Sequence, residues 1–231
     1  TGTFLACDAL GVRPDYVTLS KALGGGLAKI AALLVRRERY VPDFDRHHTS
    51  TYAEDDFSSL IALKTLELLD DAAIAKCRER GERMLAMLQR LRDKYADVIA
   101  EVRGRGLLAG IEFRPLPASR SFIFRMLSSG EDLVLVVAGY LFNVHRIRIL
   151  PTLSDPFTLR LEPSLGLADG ELEQIGSALD DVCSRLRHGD AMGLTGYFVR
   201  AESSSRHDLP DPENDFLIFD EPAFRAADTA P

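Results

Sequence analysis

Lys21 is the side chain in this sequence best placed to act as a nucleophile. It stands after the β-rich run 15–19 (DYVTL) and Ser20, and shortly before Gly24, Gly25 and Gly26, where a strand enters a flexible turn. A lysine there can reach into a cleft while the glycine backbone leaves space for a ring-shaped cofactor. On spacing alone, a surface lysine or a plain anion contact remains open as a reading. Other chemistries lack their patterns. No Gly-x-x-x-x-Gly-Lys-Ser/Thr run is present, which excludes a phosphate-binding loop of that type. The GRGLLAG within residues 102–113 is not a dinucleotide fingerprint, because no helix with an N-terminal anion site follows it. Cys7, Cys77 and Cys183 are odd in number, far apart and without CxxC spacing, so neither a disulfide framework nor a metal site is expected.

The elements that must position Lys21 follow from hydrophobic periodicity. Residues 29–36 (KIAALLVR) form a nearly continuous apolar run, the pattern of a strand buried on both faces. With the 15–19 strand it suggests an α/β core. Leu60, Ile61, Leu63, Leu66 and Leu69 recur at helical spacing after Asp55 and Asp56, so a helix over 57–69 is expected to pack on that sheet. A longer helix is predicted over 72–95, with Met84, Leu85, Leu88 and Leu91 on one stripe and length enough to connect two domains. Residues 102–113 read as one strand with close backbone approach at its glycines. Helical or mixed patterns over 120–127 and 131–143 lead to two strand-like runs, 146–150 and 157–161. A turn through Ser154, Asp155 and Pro156 would join these as a hairpin. A last helix is predicted over 172–186 behind Asp169, with Glu171 and Glu173 in its first turn. Beyond residue 188 the composition turns to Gly, Ser, Pro, Asp and Glu, so residues 189–231 are expected to be a poorly packed acidic tail or linker.

Composition bounds the answer. With 231 residues and 46% hydrophobic content, the chain can bury a core in one large domain or two small ones. The longest apolar runs, 134–141 and 30–35, fall far short of the roughly 20 residues of a membrane helix. A net charge of −7 argues against general nucleic-acid binding, where a basic face is needed. The opening TGTFLACDALGVRPD lacks the basic start, apolar centre and cleavage site of a secretory signal. A cytoplasmic protein, or a piece cut from one, is expected.

Together with the opening Thr1-Gly2 and the apolar run that follows, PDYVTLSKALGGG (residues 14–26) resembles the cofactor-lysine segment of class III aminotransferases, the ornithine and acetylornithine aminotransferase-like enzymes that depend on pyridoxal 5'-phosphate. HHTSTYAEDDFSSLIALKTLELL (47–69) resembles the family stretch in which a Ser-Thr pair before a helix reaches the cofactor phosphate of the neighbouring subunit; Thr51, with Ser50, takes that place. VRGRGLLAGIEF (102–113) is similar to the family's small-domain strand, and TLRLEPSLGLADGELEQIGSAL (158–179) to its closing strand and helix. In the last, Arg160 falls where many members bind the substrate carboxylate, a task that suits a planar guanidinium. Arg148, one strand earlier, is the rival, and a structural ion pair is the alternative for either.

The resemblance covers residues 1–187 and implies an α/β fold, the fold type I of pyridoxal-phosphate-dependent transferases. Residues 1–78 would be the C-terminal part of the large, mixed-sheet, cofactor-binding domain, and 79–188 a small C-terminal α+β domain. The chain begins where the family's Asp-Glu-x-x-x-Gly-x-Gly-Arg-Thr-Gly stretch is ending. The Asp that pairs with the pyridine nitrogen and the ring-stacking aromatic are therefore not among these residues. This chain alone is expected to hold the cofactor poorly, as a fragment or one part of a nicked protein would. Lys29 stands where many members have proline, and AEDDF (53–57) replaces the commoner glycine-asparagine-proline turn.

The resemblance further implies that Lys21 forms an imine with the cofactor (an aldimine), is displaced by an incoming amine, and then moves a proton between substrate and cofactor. The amino group would pass from an amino acid or ω-amine to a 2-oxo acid or aldehyde, in a homodimer with shared sites. An aminomutase or decarboxylase on the same scaffold, or a non-catalytic domain of a multidomain protein, is the alternative.

Overall fold

Among the described residues, two antiparallel sheets, of two and four strands, organise the fold. The computed structural model describes residues 1–47, 50, 51, 53 and 55–204. The first part holds α1 (Ala6–Ala9), β1 (Tyr16–Leu19), β2 (Ala32–Val35), α2 (Phe44–His47) and α3 (Asp56–Leu68). β1 and β2 pair from Tyr16 opposite Val35 to Leu19 opposite Ala32. The expectation of a strand buried on both faces is corrected, since Leu33 and Leu34 are 43% and 45% exposed. A two-stranded ribbon has too little surface to bury its own faces. α3 starts where the sequence placed it, because the Asp55 side chain accepts from Ser58 N at 2.8 Å and satisfies a first-turn amide. It packs against the turn that carries Lys21 rather than flat on the sheet, and its Leu60, Leu63 and Leu68 remain exposed.

The second part begins with α4 (Asp71–Lys94), capped by Asp70, whose side chain accepts from Ala73 N at 2.7 Å. Cys77, Met84, Leu88 and Leu91 recur at three-, four- and seven-residue steps and form its buried stripe. Residues 99–113 are a hairpin and not one strand: β3 (Ile99–Arg105) and β4 (Leu108–Phe113) are joined at Gly106, whose φ of +56° belongs to glycine. The glycines expected to allow close approach do so at this turn, because a Cβ on Gly81 of α4 would overlap the Gly106 backbone. Thr1 and Gly2 fill the far side of that turn, and Arg78 Nε and Nη2 donate to Gly2 O at 3.1 and 2.9 Å.

α5 (Phe122–Ser129) and α6 (Leu133–His145) follow, then β5 (Leu150–Pro151), β6 (Thr158–Leu161), α7 (Asp169–His188) and α8 (Ala191–Ser204). The sheet order is β3-β4-β6-β5, every neighbour antiparallel. Ala109, Ile111 and Phe113 of β4 alternate into a core closed by Met84 and Leu88 of α4, Val137 and Leu141 of α6, and Leu179 and Val182 of α7. That core is continuous from Cys77 to Leu194.

The expectation of an unpacked tail from residue 189 is corrected over 191–204. There α8 seats Ala191 and Leu194 in the core, and Tyr197 Oη donates to Val136 O at 3.3 Å. Gly193 is required by close packing, since a Cβ there would overlap the Arg185–Asp190 ion pair. Residues 205–231 lie outside the described residues.

Candidate active site

β1 delivers Lys21 to a turn whose geometry is tied at both ends. Ser20 is extended (φ −161°), and its Oγ donates to Ile30 O at 3.2 Å, closing the loop between the two strands. Lys21 then opens a 3-10 turn, Lys21–Gly24, in the left-handed region at φ +53°. Among the described residues, the other non-glycine positive-φ positions are Glu131 and Arg146. Each of those sits where a helix ends, a place that favours this conformation. Lys21 has no such excuse, and the conformation costs it about 1–3 kcal/mol. The turn over-determines it. Gly25, at φ +60°, comes so close to α3 that a Cβ there would lie 2.8 Å from Thr65 Oγ1. Lys21 itself is exposed and makes no hydrogen bond or ion pair among the described residues, so its amine is free to take a covalent partner.

Thr51 lines a pocket whose walls do not include Lys21. A pocket of about 820 Å³ opens between residues 29–33, Phe44, Thr51, Ala53 and the first turn of α3, with Asp55, Ser58 and Ser59. Sequence reasoning placed Thr51 here but missed Ser58 and Ser59. Two adjacent hydroxyls in a helix's first turn were the available signal. Three hydroxyls and the Lys29 ammonium suit a phosphate ester. Asp55 would oppose one, but its carboxyl is already engaged as the helix cap, and the hydrogen bonds from Ser58 hold it below the usual carboxylate range. Ser50 is exposed beside Thr51, and its carbonyl accepts from Ala53 N at 3.1 Å.

Neither Lys21 nor Arg160 lines that pocket. Arg160 lies on β6 opposite Gly110 and Leu150, so it shares the open sheet face with Arg103, which also faces Gly110. Its Nε is 3.1 Å from Glu162 Oε2, with both side chains 51% exposed. Arg148, exposed in the segment before β5, borders a different groove.

A family model described as aminotransferase class-III matches residues 1–154. Among curated relatives, an uncharacterized aminotransferase of Schizosaccharomyces pombe is 27% identical over 191 residues, covering 80% of this chain and 38% of that protein. Among solved structures, ornithine delta-aminotransferase of Plasmodium falciparum is 26% identical with a TM-score of 0.64, over 80% of this chain and 43% of that one. Acetylornithine aminotransferase of Elizabethkingia anophelis aligns with a TM-score of 0.62 at 24% identity, over 80% and 42%. The chain thus spans about two fifths of the length of the proteins it matches. Its mixed α/β architecture is part of the fold type I seen in pyridoxal-phosphate-dependent transferases. The match to residues 1–154 takes in the Lys21 turn and the Thr51 pocket together, and by it this chain belongs to the class-III aminotransferase family.

Proposed function

We propose that this chain carries the lysine-bearing part of a pyridoxal-phosphate-dependent aminotransferase, one that moves an amino group from an amino acid or ω-amine to a 2-oxo acid or aldehyde. The observation that carries the reading is Lys21: a left-handed, unpaired lysine at the end of β1, on a turn clamped against α3. When bound, pyridoxal 5'-phosphate supplies an aldehyde carbon for a covalent bond to an amine and a ring that withdraws electrons from the carbon bearing it.

The rest falls to the chain. Lys21 Nζ would hold the cofactor and, as the free amine, would take the proton from the donor's amine-bearing carbon and in the second half of the transfer give a proton to the acceptor carbon that receives the amine. The left-handed backbone sets the direction in which the Lys21 side chain leaves the turn. Thr51 Oγ1 donates to the phosphate, with Ser50 beside it. Because Lys21 is not among the residues that line the Thr51 pocket, the reading we adopt is a homodimer in which Thr51 serves the partner's site. Arg160 grips the substrate carboxylate. Its present ion pair with Glu162 is exposed on both sides and so worth at most about 1 kcal/mol, which a bidentate carboxylate can displace. The surroundings we assign are the cytoplasm, and the partners small molecules. Among the described residues no helix is long and apolar enough to cross a membrane.

The test is amino transfer by the complete protein with added cofactor, assayed across amino-acid and ω-amine donors against a 2-oxo acid. Transfer to the acceptor is expected. Release of carbon dioxide, or migration of the amino group within one molecule, would contradict it.

A further inference from the structure

A second groove, of about 500 Å³, runs between α6, the segment leading into β5, and α8. Its walls are apolar, among them Leu135, Phe142, Ile149, Leu150 and Phe198, and Arg148 is the charged residue on its border. α8 forms one wall because Gly139 admits it: a Cβ there would overlap Tyr197, whose ring stacks on Phe198 with centroids 4.2 Å apart. Four large lining residues stay half open, Leu135 55%, Phe142 51%, Leu150 60% and Phe198 53%. A contiguous apolar patch of this kind calls for cover.

We propose that the cover is this chain's own residues 216–219, Phe216-Leu217-Ile218-Phe219. They form the longest apolar run after α8 and lie outside the described residues. Charge supports the match. The run is flanked by Asp208, Asp211, Glu213 and Asp215 before it and Asp220 and Glu221 after it. Arg148 on the groove's border, and Arg146 two residues before it, are exposed and make no ion pair among the described residues. Reach supports it too. Phe198 precedes the end of α8 at Ser204 by about 9 Å of helix rise. A coil as long as the intervening stretch 205–215 reaches about 17–20 Å, far enough for the run to be brought back along α8. Tethering at that length gives an effective concentration on the order of millimolar, which favours this occupant over a free ligand. Docked, the run would bury its aromatic faces and close α6 and α8 under one cap.

The test places a photo-crosslinking amino acid at Ile218 in the complete protein and maps the adducts by mass spectrometry, mixing isotope-labelled and unlabelled chains. Adducts within one chain to residues 135–150 or 197–198 are expected. In the double variant Phe216→Ser/Phe219→Ser, which alters no described core residue, α6 amides should exchange at least about tenfold faster, and Arg148→Glu should reduce the crosslink yield. Adducts between labelled and unlabelled chains would overturn the proposal and make this face a contact between copies. Adducts elsewhere, with α6 exchange unchanged in the double variant, would overturn it outright.

Discussion

The first seventy residues and the rest of the chain use the same kinds of apolar side chain to opposite ends. From Cys77 onward Met84, Leu88, Ile111, Leu141 and Val182 are sealed in one core. Before Cys77 the buried hydrophobic residue among those described is Ala62, while Phe57, Leu60, Leu63 and Leu68 of α3 stand 57–67% exposed. Yet the open part carries Lys21 and Thr51, and it spends backbone strain at Lys21. The part that holds Lys21 and Thr51 leaves its apolar side chains open, whereas the α+β half is held by its own contacts. A division near residue 78, with the small domain expected over 79–188 extended by α8, is the organisation we propose on this contrast.

That contrast can be broken or sharpened by substitution. The largest effect on activity belongs to the open half: Lys21→Ala in the complete protein should lower transamination by about 10²–10⁴-fold or more while thermal unfolding stays unchanged, since the side chain is exposed. Retained turnover would remove Lys21 from the mechanism. The largest effect on stability belongs to the closed half. Leu88→Ala, at a fully buried position, should cost about 2–5 kcal/mol in denaturant titration, and a cost near zero would mean that the core is not packed as described. On the proposed role of Thr51, Thr51→Ala would remove one hydrogen bond to the phosphate and should weaken cofactor affinity by about tenfold, read as a shift in the cofactor concentration that half-restores activity.

Smaller effects concern pH. Burial pushes the Asp181 carboxyl up, but the hydrogen bonds from Tyr140 and His145 and the pairing with Arg185 outweigh it and hold it below its ordinary value. A carboxyl so lowered contributes stability that is present above its ordinary range and lost as pH falls through the folded value. Asp181→Asn should therefore lower Tm near neutrality, by about 2–4 °C at most, and the difference should vanish as pH falls through the folded value, which flattens the acid limb. At the other end, burial and then the hydrogen bond to Asp181 push Tyr140 up to about 12, so its share is complete below about 10 and lost as pH rises through the folded value. The smallest effect should come from Leu63→Ser on the open face of α3, within about 0.5 kcal/mol in this chain alone. A cost of several times that would show the face to be covered and end the contrast.

How far these features were legible follows the same line. The α4 stripe, the Asp55 cap and the strand before Lys21 could be read directly because each is a local pattern. The 99–113 hairpin could not, since Gly104 and Gly106 look alike in sequence and only the approach of α4 decides that Gly106 is the turn. α8 was hidden by Gly193 and Gly196, whose low helix propensity is overridden by docking on α6 and α7. The run 29–36 reads as doubly buried because apolar content reports what a strand can bury and not whether this chain supplies the cover. At the site, Lys21 was marked by its turn glycines. Ser58 and Ser59 were not, because two serines at a helix start read as ordinary polar residues until the pocket places them beside Thr51.

The central claim is that Lys21 holds the cofactor. Borohydride reduction of the complete protein with added pyridoxal 5'-phosphate, followed by peptide mapping, tests it directly. One stable label, on Lys21, is expected; label scattered over surface lysines, or none, would remove Lys21 as the residue that holds the cofactor.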